Sequence, residues 1–158
     1  MYNENLERWI YSSIANHFVT LISPFIPIQV EGEHKMNEKK DASVEVRMNG
    51  PYFVSYSGGD QANIEINLLV TKAQDNQNFY TLQEKIGIAR SAFHSRIGLF
   101  KYGTGIQDTG VHFGCFVIQY DKGQLIRVDQ FGQIGKDTPT LQASVNAKYS
   151  FYFKNKNI

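Results

Sequence analysis

The sequence predicts an α+β fold, a mainly antiparallel sheet with two helices, and three observations lead there. Apolar residues recur at helical spacing near residues 6–22 and 82–97. Elsewhere apolar and polar residues alternate with a period of two, the mark of strands with one buried face. The resulting order of helix, strands, helix and strands segregates the helices over a sheet instead of interleaving them as in a parallel α/β fold. A length of 158 residues fits a single domain over 1–158 and a core that needs no disulfide.

Leu6, Ile10, Ile14, Phe18 and Ile22 define the first helix, with Trp9, His17 and Leu21 beside the stripe. Asn3 is placed to cap it. Pro24 and Pro27 end it, because proline lacks an amide hydrogen and disfavours a helical residue before it. Ile26 to Val30 reads as a short strand, and 31–41 as a polar, charged loop. Val44, Val46 and Met48 alternate with Glu45 and Arg47 in a strand that Asn49-Gly50-Pro51 is expected to break. The aromatic segment Pro51 to Ser57 follows. Ser57-Gly58-Gly59-Asp60 then turns the chain into Ala62, Ile64, Ile66, Leu68 and Val70, giving a β-hairpin. Asn63, Glu65 and Asn67 occupy the opposite face of that strand.

Thr81-Leu82-Gln83-Glu84 has the capping-box pattern of a helix start. Leu82, Ile86, Ala89, Phe93 and Ile97 form its stripe, and Gly98 is expected to stop it. A Gly-rich loop over 98–110 leads to strands near 111–120, 124–132 and 140–154. Asp121-Lys122-Gly123 is expected to fold the first two into a hairpin, and Lys136 to Pro139 separates the last two. In the final strand Leu141, Ala143, Val145, Ala147, Tyr149, Phe151 and Phe153 share one face. No internal repeat or low-complexity tract is present.

A net charge of +1 provides no basic field to hold nucleic acid or an acidic membrane. No apolar run reaches the ~18 residues of a membrane-spanning helix, and no signal peptide opens the chain, so synthesis in the cytoplasm is expected. The one cysteine, Cys115, has no partner for an internal disulfide and reads as a small hydrophobe on a strand. His17, His34, His94 and His112 show no metal-ligand spacing. Gly103-Thr104-Gly105 has half of a dinucleotide fingerprint and no helix after it. No nucleophile motif occurs, and Glu84 is assigned to the helix cap. The expectation is no catalytic, cofactor or metal site and no enzyme.

The strand at 140–154 would span roughly 45 Å, far beyond the usual ~5–6 residues. Either such a strand curves within a single sheet, or an exposed edge of that length invites pairing with another chain. Tyr149, Phe151, Tyr152 and Phe153 put aromatics on both its faces, as an assembly surface would.

Val44 to Pro51 followed by Ile64 to Val70, and Phe131-Gly132-Gln133-Ile134-Gly135-Lys136-Asp137-Thr138 followed by a long aromatic strand, resemble neck proteins of tailed bacteriophages. The order of elements is similar to the tail-terminator fold, over about residues 40–153. Arg47, Asn49, Gly50, Pro51, Phe131, Gly132 and Gln133 are the matching positions, with turn or interface roles. The resemblance implies a virion protein without catalytic residues, a tail terminator or head–tail connector that forms a hexameric ring with copies of itself. Its neighbours would be the connector or portal side and the tail tube. DNA would cross the lumen without specific binding, for which near-neutral charge is suited, and no membrane is involved. The loops 31–41, 52–60 and 98–110 would then be arms that contact neighbours. Two alternatives stand beside it: a tail-tube or baseplate subunit, and a small-molecule-binding module or enzyme on a cone-shaped helix-and-sheet scaffold.

Overall fold

The computed structural model describes residues 2–31, 42–73, 78–102, 110–120, 122–134 and 140–154. Most of the charged loop, the Gly103-Thr104-Gly105 stretch, Asp121 and Lys136 to Pro139 therefore lie outside the described residues. Helix α1 spans Leu6–Ile22 and helix α2 Asn78–Ser91. The strands are β1 (Ile28–Val30), β2 (Ala42–Tyr56), β3 (Gly59–Ala73), β4 (Arg96–Lys101), β5 (Val111–Gln119), β6 (Arg127–Ile134) and β7 (Thr140–Phe153). Among the described residues they form one sheet in the order β1-β2-β3-β7-β5-β4, with β6 also beside β7. Every pairing is antiparallel except β1 with β2. The α+β class follows, with a sheet that is mainly antiparallel.

Periodicity fixes which face is buried. The α1 stripe of Leu6, Ile10, Ile14, Phe18 and Ile22 is at most 1% exposed. It packs in one core with α2 and the apolar alternates of the central strands, Ile64, Ile66 and Leu68 on β3 and Ala143, Val145 and Tyr149 on β7. The opposite alternates, such as Asn63, Glu65 and Asn67, make a polar face that stays partly open. Asn3 does not cap α1. Its side chain accepts from the Asn5 amide at 2.9 Å and its carbonyl from the Leu6 amide at 3.1 Å, so it shapes the turn before the helix.

Further expectations need correction. Asn49-Gly50-Pro51 does not break a strand: β2 runs through it with a bulge. Asn49 pairs with Glu65 and Tyr52 with Asn63, so Gly50 and Pro51 together oppose Ile64. Gly50 has φ +118° and a cis bond to Pro51. A Cβ on Gly50 would lie 2.8 Å from the Asn63 carbonyl oxygen, which leaves glycine as the residue that fits. Second, α2 begins at Asn78, so Thr81 and Glu84 lie within it and form no capping box. A cap residue sits outside the helical conformation. Third, α2 ends at Ser91, and Ile97 and Gly98 belong to β4, where Gly98 pairs with Cys115. The spacing of four from Phe93 to Ile97 satisfies a strand as well as a helix.

Another correction concerns β7. Its length is as expected, but it is an interior strand. β3 pairs with it from Thr140 to Phe153, β6 covers Thr140 to Asn146 on the other side, and β5 covers Lys148 to Ser150. The expected hairpin of 111–120 with 124–132 is absent. β5 and β6 instead run in the same direction and dock end to end on β7, with Gln119 opposite Lys148 and Arg127 opposite Asn146. Among the described residues between them, Lys122 and Gly123 form a turn at φ 51° and φ 83°, and Gln124 makes an isolated bridge. A strand as long as β7 has room for two partners in tandem, and a β5–β6 hairpin docked through β6 would leave Lys148 to Ser150 uncovered on that edge. Tyr149, Phe151 and Phe153 face the core and are at most 7% exposed, while Tyr152 on the other face is 50% exposed.

Candidate functional site

With β7 interior, the margins of the sheet lie elsewhere. The outer edge of β4 is covered by α1. Ser13 Oγ accepts from the Phe100 amide at 2.9 Å, and Trp9 Nε1 donates to the Tyr102 carbonyl at 3.0 Å. β1 covers β2 only from Val44 to Val46. Beyond that, no strand among the described residues pairs with the outer edge of β2 or with that of β6. These are open edges, as is the side of β5 away from β4 over Val111 to Phe116.

The two stretches singled out in the sequence fall on these margins. Arg47, Asn49, Gly50 and Pro51 are on β2, and Phe131, Gly132 and Gln133 are on β6. The register Arg47–Asn67–Asn146–Arg127 runs across β2, β3, β7 and β6. Three strand spacings, about 14 Å, separate the two strands, and Phe131 to Gln133 lie level with Ala42 to Val44, so the two stretches are also offset along the strands. The structure does not bring them together. Arg47 is exposed and bonds Glu45 at 3.3 Å. Asn49 accepts from the Tyr52 hydroxyl at 2.7 Å, and the Gly50 carbonyl from the Tyr11 hydroxyl at 2.7 Å. Gln130 pairs with Ala143 and Gly132 with Gln142, which makes Phe131 the extra residue of a second bulge and leaves it 54% exposed.

The β2 bulge also exposes residues that alternation alone assigns to no face. Before it, the even-numbered Val44 and Val46 face the core. After it, the odd-numbered Phe53 does, stacking on Tyr2 with ring centroids 4.6 Å apart. One inserted residue flips the parity, so Tyr52, Val54 and Tyr56 emerge on the open face, where Tyr52 and Tyr56 are more than half exposed. Tyr152, on the same face, completes this patch at the hairpin end of the sheet. A second exposed apolar group follows the β6 side: Tyr120, Leu125, Val128 and Phe131. A shallow groove runs along Tyr120 and residues 123–129 there. Reading Asn-Gly-Pro as a bulge instead of a break is the signal that finds the first patch.

The histidines form no catalytic constellation among the described residues. His17 and His94 stack edge to face at 4.9 Å beside a groove of about 230 Å³ between α1 and β4. His17 Nε2 lies 2.8 Å from the Ala92 carbonyl. Burial lowers the His17 pKa, the bond to Ala92 opposes this, and His94 adds to the lowering. The unfolded chain therefore binds the proton more readily. Stability from this site is fully present above the ordinary histidine pKa of about 6.5 and is lost as pH falls below it. Urea midpoints should rise between pH 5 and pH 7, and His17→Gln should flatten that rise; an unchanged slope would contradict the assignment. His112 Nε2 lies 3.6 Å from Cys115 Sγ, and Cys115 is half-buried. Among the described residues no three His, Cys, Asp or Glu side chains are grouped to hold a metal ion.

No helix among the described residues is long and apolar enough to cross a membrane. Comparison of the chain with protein-family models and with curated proteins gives no match.

Proposed function

We propose that this chain is a virion structural subunit of the neck of a tailed bacteriophage, a tail terminator or head–tail connector that closes into a ring. The observation that carries this is the pair of exposed apolar surfaces on separate margins of one sheet. Tyr52, Val54, Tyr56 and Tyr152 make up one; Tyr120, Leu125 and Val128 line the groove of the other, with Phe131 exposed further along β6. Exposed tyrosines and phenylalanines are characteristic of interface cores. Two different surfaces suit a head-to-tail contact, which either closes into a ring or runs on as a filament. The resemblance of Val44 to Pro51 and of Phe131 to Thr138 to neck proteins selects the ring, and six copies. Strand pairing along β7 is left out of this assembly, because one of its edges is paired throughout within the chain and the other from Thr140 to Asn146 and from Lys148 to Ser150.

Native mass spectrometry and electron microscopy of the purified protein test this. A discrete closed ring of six copies is expected. A monomer at concentrations well above ~10 µM, the range of a weak specific interface, would sink the proposal. Open filaments would favour a tail-tube or baseplate subunit instead.

A further inference from the structure

We propose that the open face of the sheet carries a binding site for a neutral sugar residue, in the cleft where β2, β3, β7 and the end of β5 meet. This does not depend on ring formation, although Tyr52 is shared with the first apolar surface, so a partner and a sugar would compete for its ring. The cleft has a volume of about 390 Å³, within the range of small-molecule sites. Its floor is two rows of side chains running across the strands. Asn49, Glu65, Lys148 and Gln119 make one row; Tyr52, Asn63 and Ser150 make the next. The Gly50–Pro51 bulge sits between the rows on β2, and bulges commonly re-aim side chains beside sites.

The hydrogen-bonding capacity of Asn63, Asn49, Gln119 and Glu65 is only partly used. Asn63 Oδ1 accepts from Ser150 Oγ at 2.6 Å and from Gln61 Nε2 at 3.0 Å. Both N–H groups of its amide remain for another acceptor. Asn49 Oδ1 accepts from Tyr52, which leaves its amide donors in the same position. Gln119 donates to the Val117 carbonyl at 3.3 Å, leaving its own carbonyl oxygen as an acceptor. The Glu65 carboxylate makes no hydrogen bond or ion pair with any described residue.

Three demands on a ligand follow. Glu65 and Lys148 are register partners, so the cleft holds one negative and one positive charge. A charged ligand gains from one and loses to the other, which favours a neutral one. Interleaved amide donors and carboxylate or carbonyl acceptors suit hydroxyl groups, each of which donates and accepts. Tyr52 is 59% exposed, and its hydroxyl bond to Asn49 holds the ring in place. Such a ring gives a flat apolar wall for the C–H face of a pyranose. A neutral sugar meets all three demands.

The test is a titration of the isotope-labelled full chain, followed by amide NMR, with glucose, galactose, mannose and N-acetylglucosamine. Glucuronate and glucosamine serve as charged controls. At least one neutral sugar should shift the amides of Asn63, Glu65 and Ser150 with a dissociation constant of ~1 mM. Glu65→Gln should weaken it about tenfold while the rest of the spectrum stays unchanged. The charged controls should bind about tenfold more weakly than that sugar. Equal binding of its methyl glycoside would identify a residue within a glycan chain, and loss of binding a free sugar; both support the site. No shift in the cleft at ~50 mM of any of the four, shifts insensitive to Glu65→Gln, or tighter binding of a charged control overturns the proposal. Glu65→Gln leaves Val54, Tyr56 and Phe131 intact, so failure here and failure of ring assembly are separately visible.

Discussion

Replacing Gly114 by alanine is expected to destabilise the protein by about 3 kcal/mol, at the upper end for overpacking. An added Cβ would lie 2.3 Å from Phe151 Cε2 and 2.7 Å from Cζ. The Phe151 ring has nowhere to move. Phe113, Phe116 and Phe153 surround it with ring centroids 5.9, 6.2 and 5.3 Å away. For a chain of this size the melting temperature should fall by about 6–12 °C. Phe151→Leu alone should also destabilise, by leaving a cavity. The double variant should recover at least ~1 kcal/mol relative to the sum of the single changes, because the shorter side chain makes room for the methyl group. Urea denaturation of all three variants measures the coupling. Additive effects would mean that Gly114 and Phe151 do not meet as described.

The second large effect concerns assembly. Val54→Lys with Tyr56→Lys should abolish the ring. A buried tyrosine at an interface centre costs about 2 kcal/mol or more when lost, and two lysines would place unpaired charge in a desolvated contact, so the pair should weaken association by roughly a hundredfold or more. Folding should be little affected, because both side chains are exposed on the open face and such substitutions usually stay within ~0.5 kcal/mol. Phe131→Lys should dissociate the ring from the other side. Mixing the two variants is the sharper experiment. In a head-to-tail contact each variant retains one intact surface, so the mixture should form heterodimers and stop there. Rings that survive either substitution, or a mixture that stays wholly monomeric, would speak against these two patches as partners.

What the sequence discloses follows the range of the interactions involved. The α1 stripe and the alternation of β7 are local, and both appear where periodicity puts them. The partners of a strand are not local. Nothing near Asp121 to Gly123 says that β5 and β6 share one edge of β7, because that depends on a strand further along the chain. At Phe93 and Ile97 the spacing fits two periods at once, and only the exit from α2 at Ser91 separates them. The candidate surfaces divide in the same way. Asn63 and Glu65 on β3 and Lys148 and Ser150 on β7 are visible as polar faces of single strands. That they lie side by side as rows is a matter of register, which the hairpin at Gly58 sets for β2 and β3 but not for β7.

The tandem docking of β5 and β6 on β7 also bears on the order in which the sheet can be completed. The hairpin of β2 and β3 closes across a two-residue connection, since Tyr56 already faces Gly59. Every other route into the centre of the sheet passes through β7, which joins Asp60 to Phe153 at one end and Ala73 to Thr140 at the other. During synthesis β3, β5 and β6 leave the ribosome before the strand that links them. The hairpin therefore carries an unsatisfied inner edge until β7 arrives, and the final closure spans most of the chain. A topology dominated by such distant pairings folds slowly for its size, and the strand made last of the seven is the one that turns separate pieces into a sheet.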